Sequence, residues 1–147
     1  MPAESAPELG VLFDVLRADE AVGAMLRGAL GGTGLTPTGY AVLSLVATLG
    51  RTTPTEVAAH IGAKPSTLTA HLTRLVDDGL LSRSRGADGR SADLEITEKG
   101  RQVRVIAHRD VDVVWQRASR DLDVAGIRAM LADLIAALSA ATENPLR

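Results

Sequence analysis

Two short helical segments, each opened by a proline and separated by only a few residues, constrain this chain more than any other feature. Thr53-Pro54-Thr55-Glu56 has the form of a capping box. The Thr53 side chain offers an acceptor to the N–H three residues on, Glu56 reaches back, and Pro54 fits a first helical position where no N–H is needed. The segment carries Val57, Ala58 and Ile61 and closes at Gly62. Only Ala63 and Lys64 intervene before Pro65 starts another helix, whose apolar stripe is Leu68, Leu72, Leu75 and Val76 and which ends near Gly79. Two helices joined by a short glycine-containing turn make a helix-turn-helix pattern. Extended candidates follow at once, Leu80 to Arg85 and Ala92 to Ile96. In the second, Ala92, Leu94 and Ile96 alternate with Asp93 and Glu95, as in a strand buried on one face. Gly86-Ala87-Asp88-Gly89-Arg90 between them is a turn-rich tip. A helix-turn-helix followed directly by a β-hairpin is a winged helix, and the combination is far more specific than either half.

The flanks are helical. Leu9, Leu12, Phe13 and Leu16, then Val22, Met25, Leu26 and Leu30, recur at spacings near three and four until Gly31, Gly32 and Gly34. Thr36 caps and Pro37 opens a helix bearing Tyr40, Leu43, Val46 and Leu49, which stops at Gly50. Thr97 caps a long helix from Glu98 to about Arg120, and Asp123 caps a last one carrying Ile127, Met130, Leu131, Leu134, Ile135 and Leu138. Residues 1–8 are expected to form a frayed arm. The expected fold class is mainly α with a small β-hairpin wing.

Composition narrows the functions. A chain of 147 residues, 46% hydrophobic and 23% charged, suits one globular domain. The absence of cysteine excludes disulfides, thiolate metal sites, thiol nucleophiles and cysteine-based redox sensing. No apolar run reaches about 18 residues, so no membrane-spanning helix is expected. The acidic, polar start from Met1 to Glu8 is unlike a secretory signal, and a soluble cytoplasmic protein is expected. The net charge of −2 does not mark the whole chain as a nucleic-acid binder. Its distribution is more telling: residues 51–104 carry nine basic and seven acidic side chains and form the only net-positive third.

The helix from Pro65 turns Ser66, Thr67, Ala70, His71, Thr73 and Arg74 away from its apolar stripe. Small side chains let a helix enter the major groove closely, hydroxyls bond base edges or phosphates, and a methyl packs on thymine. Arg74 can reach a phosphate or a guanine. Lys64 occupies the N-cap position, where it has no acceptor to offer and its charge opposes the helix dipole. A phosphate bound there would welcome both the cation and the free N–H groups; the plainer alternative is a solvated lysine. His71 has three readings, a DNA contact, a solvated helix residue or a metal ligand. The three histidines, His60, His71 and His108, form no pair at helical spacing. His108 is near Asp110 and Asp112 but is expected not to share a helical face with them. On the hairpin tip, Asp88 two residues before Arg90 is expected to hold the guanidinium in a bidentate pair for the minor groove. Arg83 and Arg85 lie on the strand leading in. No nucleophile–base pair, phosphate loop or paired carboxylates appear, so no enzyme, cofactor or metal site is expected.

These residues together resemble the MarR family of bacterial transcriptional regulators. The resemblance rests on Leu35-Thr36, Glu56-Val57-Ala58, Ser66-Thr67-Leu68-Thr69, Leu72, Arg74, Leu75, Asp78-Gly79-Leu80, Arg83, Asp88-Gly89-Arg90 and Leu94-Glu95-Ile96-Thr97-Glu98-Lys99-Gly100. It covers roughly residues 35–104 by motif and the flanking helices by arrangement; Lys64-Pro65 and the scarcity of lysine depart from the pattern. It implies one domain over residues 1–147, with 35–97 as the winged-helix DNA-binding lobe and 1–34 and 98–147 as dimerisation helices. It further implies a homodimer that binds a pseudo-palindromic double-stranded DNA operator, usually as a repressor, with a small-molecule effector between the lobes. DNA contacts would then fall to Lys64, Pro65, Ser66, Thr67, Thr69, Ala70, His71, Arg74, Arg83, Arg85, Asp88 and Arg90. No residue is assigned to the effector. Phe13, Tyr40 and Trp115 are the only aromatics, and core packing is expected for each ahead of a ligand cleft. The alternatives are a winged-helix protein-interaction module without DNA binding, or a regulator of another winged-helix family.

Overall fold

The computed structural model describes residues 10–143; the expected arm at residues 1–8, and Leu9 with it, lie outside them. The described elements are α1 (Val11–Leu30), α2 (Pro37–Leu49), α3 (Pro54–Ile61), α4 (Pro65–Asp77), β1 (Leu81–Arg85), β2 (Ala92–Ile96), α5 (Glu98–Ala118) and α6 (Val124–Glu143). This is the expected order. The described chain divides into two compact units, residues up to Asp112 and residues from Val113, and α5 is shared between them.

The starts of α2 and α3 are local. Thr36 accepts from the Gly39 N–H, and Thr53 and Glu56 close the reciprocal box around Pro54. α3 and α4 both end on a left-handed glycine. Gly62 has φ 74° and Gly79 φ 74°, conformations that a β-carbon penalises. Beyond α4, the Gly79 N–H donates to the Val76 carbonyl and the Leu80 N–H to the Leu75 carbonyl. That is a Schellman closure with buried Leu75 and Leu80 packed inside it.

The first unit's core joins α2 (Val42, Leu43, Val46), α3 (Val57, Ala58), α4 (Leu68, Leu72, Leu75) and the wing base (Leu80, Leu81, Leu94). β1 and β2 pair antiparallel, Leu81 opposite Ile96 and Arg83 opposite Leu94. Thr52 adds a one-residue third rung: its N–H donates to the Leu94 carbonyl at 3.1 Å, and its carbonyl accepts from the Leu94 N–H at 2.7 Å. The hairpin is thereby tied to the helix-turn-helix by backbone as well as by leucines.

In the second unit, Asp123 caps α6 by accepting from the Gly126 N–H. No residue of α6 is buried. By length and average composition alone α6 is apolar enough to cross a membrane, although Arg128 and Asp133 interrupt it and no uninterrupted apolar run of about 18 residues exists. The helix average is dominated by alanine, leucine and isoleucine. Phe13 and Trp115 are also exposed, 40% and 39%, so core packing is wrong for both. Tyr40 is half-buried, with its hydroxyl 3.0 Å from His108 Nδ1.

Candidate nucleic-acid interface

α4 buries Leu68, Leu72 and Leu75 and leaves Lys64, Pro65, Ser66, Thr67, Thr69, Ala70, Thr73 and Arg74 exposed, with His71 half-buried. The predicted polar face is therefore a solvent face. Lys64 stands at the N-cap with no side-chain bond to the helix start. In the first turn of α4, Pro65 has no N–H and the Thr67 N–H donates to the Lys64 carbonyl at 3.0 Å, so the turn offers little beyond the Ser66 N–H beside a lysine whose ammonium has no partner among the described residues. Thr69 spends its hydroxyl hydrogen on the Pro65 carbonyl, 3.1 Å away, and keeps its lone pairs for an incoming donor. Arg74 lies 3.7 Å from Asp78 through Nε, an exposed pair of one helical turn that contributes little and is easily given up. A small pocket lined by His71, Arg74, Asp78, Thr36 and Gly39 lies where α4 passes the start of α2.

The wing tip corrects one expectation. Asp88 does not hold the Arg90 guanidinium. Its Oδ1 accepts from the Arg90 N–H (3.0 Å), the Ser91 N–H (2.9 Å) and the Ser91 hydroxyl (2.8 Å). Backbone donors two and three residues on are already in reach of a short carboxylate, whereas an arginine would have to order a long side chain. These bonds, the Ser91 N–H foremost, hold the Asp88 carboxyl below the usual aspartate range. Gly89, at φ 68°, supplies the left-handed step of the turn. A β-carbon on Gly86 would run into the Ser91 hydroxyl and displace it from Asp88. Arg85 donates through Nε to the Gly89 carbonyl at 3.2 Å and so braces the tip from the strand. The guanidinium groups of Arg83 and Arg90 have no partner among the described residues. The tip is thus ordered around its backbone while Arg90 stays available.

Several supporting residues carry no local signal in the sequence. Arg51 reaches Glu95 at 3.0 Å and Asp93 at 3.4 Å, pinning β2 from the residue beside Thr52. Thr52 also donates its hydroxyl to Glu56, and that bond is the first of those holding the Glu56 carboxyl below its ordinary value. His108 and Asp112 are one turn apart on α5, contrary to the expected spacing, but no group of three ligating side chains gathers among the described residues.

Comparisons with known proteins agree with this architecture. The MarR family model matches residues 35–91, the span from the start of α2 through the wing tip. The M. tuberculosis transcriptional regulator MosR, solved in complex with DNA, is 31% identical, with a TM-score of 0.81 over 89% of this chain and 97% of that one. The transcriptional repressor CouR bound to a 23-mer DNA duplex is 26% identical, with a TM-score of 0.77 over 93% and 99% of the two chains. CouR from Rhodococcus jostii RHA1 bound to p-coumaroyl-CoA is 26% identical, with a TM-score of 0.75 over 98% and 100%. No curated protein matches the sequence. A relative 31% identical along nearly its whole length, with the family model falling on the helix-turn-helix and wing, shows that the chain belongs to the MarR family of transcriptional regulators.

Proposed function

We propose that this regulator binds a pseudo-palindromic double-stranded operator as a homodimer, represses transcription by occupying the promoter, and responds to a small-molecule effector, all in the cytoplasm. In this reading residues 35–97 form the DNA-binding lobe, and residues 1–34 and 98–147 supply dimerisation helices. Ser66, Thr67, Thr69, Ala70, His71 and Arg74 meet base edges in the major groove. Lys64 and Pro65 sit at a phosphate, and Arg83 and Arg85 line the approach. Asp88 orders the tip that carries Arg90 to the minor groove, whose narrow stretches attract arginine.

The observation that carries the proposal is the contrast within one wing tip: Asp88 Oδ1 accepts from the Arg90 and Ser91 N–H groups and the Ser91 hydroxyl, while the Arg90 guanidinium has no partner among the described residues. An ordered loop presenting a spare cation suits a polyanion. The DNA complexes of MosR and CouR support the DNA partner, and the p-coumaroyl-CoA complex of CouR supports an effector. The uncovered apolar side chains of α6 (Met130, Leu131, Ile135, Leu138) and, separately, of α1 (Val11, Leu12, Phe13, Leu16) support a second copy as partner.

Selection from a random duplex library, followed by titration of the enriched duplex against salt, tests this. An inverted repeat bound with a steep salt slope is expected. Folded protein that enriches no duplex refutes the reading and favours a winged helix that binds protein.

A further inference from the structure

The segment Thr97-Glu98-Lys99-Gly100 lies outside the DNA-contact set, yet it closes on the end of the recognition helix through three consecutive carbonyls. Lys99 Nζ donates to the Asp78 carbonyl at 2.7 Å. The Thr97 hydroxyl shares its hydrogen between the Gly79 carbonyl at 2.6 Å and the Leu80 carbonyl at 3.2 Å. The Thr97 N–H also donates to the Leu80 carbonyl, at 3.1 Å. The same hydroxyl accepts from the Gly100 N–H at 3.0 Å, so one side chain caps α5 and clasps the exit of α4. A β-carbon on Gly100 would collide with the Leu80 carbonyl oxygen, so α5 presses there as closely as backbone allows.

We infer that Thr97 and Lys99 are positioning residues for DNA recognition, fixing the direction of α4 and the wing relative to α5 and so setting which half-site spacing the dimer accepts. The carbonyls that leave a helix carry the negative end of its dipole, and an ammonium placed on one of them makes a charge-assisted bond with a fixed direction. Thr97 adds a second anchor one residue further along the exit. Two anchors on adjacent carbonyls resist both rotation and sliding of the first turn of α5 against the exit of α4. α5 continues past Asp112 into the second unit, so the helix that starts at this joint is also the chain segment leading to the proposed dimerisation helices. The inference rests on the DNA-binding and homodimer readings above.

The test uses the full chain, the selected duplex, and versions of it with the half-sites moved one base pair closer or further apart. Lys99→Met keeps the aliphatic stem and deletes the ammonium; Lys99→Arg restores a cationic donor. For Lys99→Met, discrimination between native and shifted spacing should fall about two- to tenfold, the factor that a net hydrogen bond is worth. Its salt slope should remain that of the wild type, and Lys99→Arg should recover most of the discrimination. A slope reduced by about one with spacing preference intact would make Lys99 a phosphate contact and overturn the inference. Equal loss on every duplex, matched by a lower unfolding temperature and not rescued by arginine, would make the joint merely structural and also overturn it. A wild type that enriches no duplex sinks the DNA-binding reading itself; a wild type that binds while Lys99→Met keeps its spacing preference sinks only the inference.

Discussion

Replacing Ile135 by alanine should weaken self-association by a factor that can be worked from exposure. Ile135 is 62% exposed on a helix with no buried residue. Burying a whole isoleucine side chain gains about 1.5–3 kcal/mol, so covering the exposed part gains about 1–2 kcal/mol. In a two-fold interface the position counts once in each copy, giving about 2–4 kcal/mol. At about 1.4 kcal/mol per decade, the dimer dissociation constant should rise roughly thirtyfold to several-hundredfold. Any cavity left at the interface adds to this. Sedimentation equilibrium over a range of concentrations reads the constant directly. Affinity for a two-half-site duplex should fall in the same experiment series, because two half-sites need two lobes. A wild-type chain that sediments as a monomer, or an Ile135→Ala dimer as tight as wild type, refutes the assignment of this face to a second copy.

Other substitutions separate reading from holding. Leu94→Ala removes a side chain with 0% exposure from the wing base; it should cost about 2–5 kcal/mol and lower the unfolding temperature by roughly 10 °C in calorimetry, and an unchanged midpoint would deny Leu94 its core role. Arg74→Ala or His71→Ala should alter which operator is preferred, each lost base contact costing about 1–3 kcal/mol, whereas Lys64→Ala should weaken all duplexes alike and lower the salt slope by about one. The Asp88 carboxyl is held below its ordinary value by the wing-tip amides, so its ordering effect is complete above the unfolded aspartate value and is lost as pH falls through the lower folded one. Backbone amide signals of Arg90 and Ser91 should therefore stay sharp at neutral pH and lose their wing-tip shifts only in acid, a change that Asp88→Ala produces at every pH; wing-tip shifts untouched by Asp88→Ala would show that the turn orders itself.

What was legible in the sequence was what acts over one turn of chain. The caps at Thr36, Thr53 with Glu56, Thr97 and Asp123 each join residues three apart, and the alternation in β2 is a two-residue rule, so both survive in a one-dimensional string. The bonds that assemble the lobe are not local: Arg51 to Glu95 spans 44 residues and Lys99 to Asp78 spans 21. Nothing in the types alone says which carbonyl a lysine will find. The aromatics failed for a related reason. Apolar character says that a face must be covered, and Phe13 and Trp115 lie where this chain alone does not cover them.

Asp88 shows how a local rule can still choose the wrong partner, and the outcome sharpens the functional argument. A carboxylate near an arginine suggests an ion pair, but a pair in solvent contributes about 0–1 kcal/mol and must order two side chains. The amide hydrogens of Arg90 and Ser91 are already fixed by the turn, so Asp88 binds them and leaves the guanidinium unengaged. Had the ion pair formed, each approach of a phosphate would first have had to break it. The wing's other arginines divide in the same way. Arg85 is tied to the Gly89 carbonyl and keeps the tip in shape, while the guanidinium groups of Arg83 and Arg90 have no partner among the described residues. A hairpin that spends one arginine and its carboxylate on its own backbone, and holds two arginines in reserve, is arranged to meet an anionic surface without first rearranging itself.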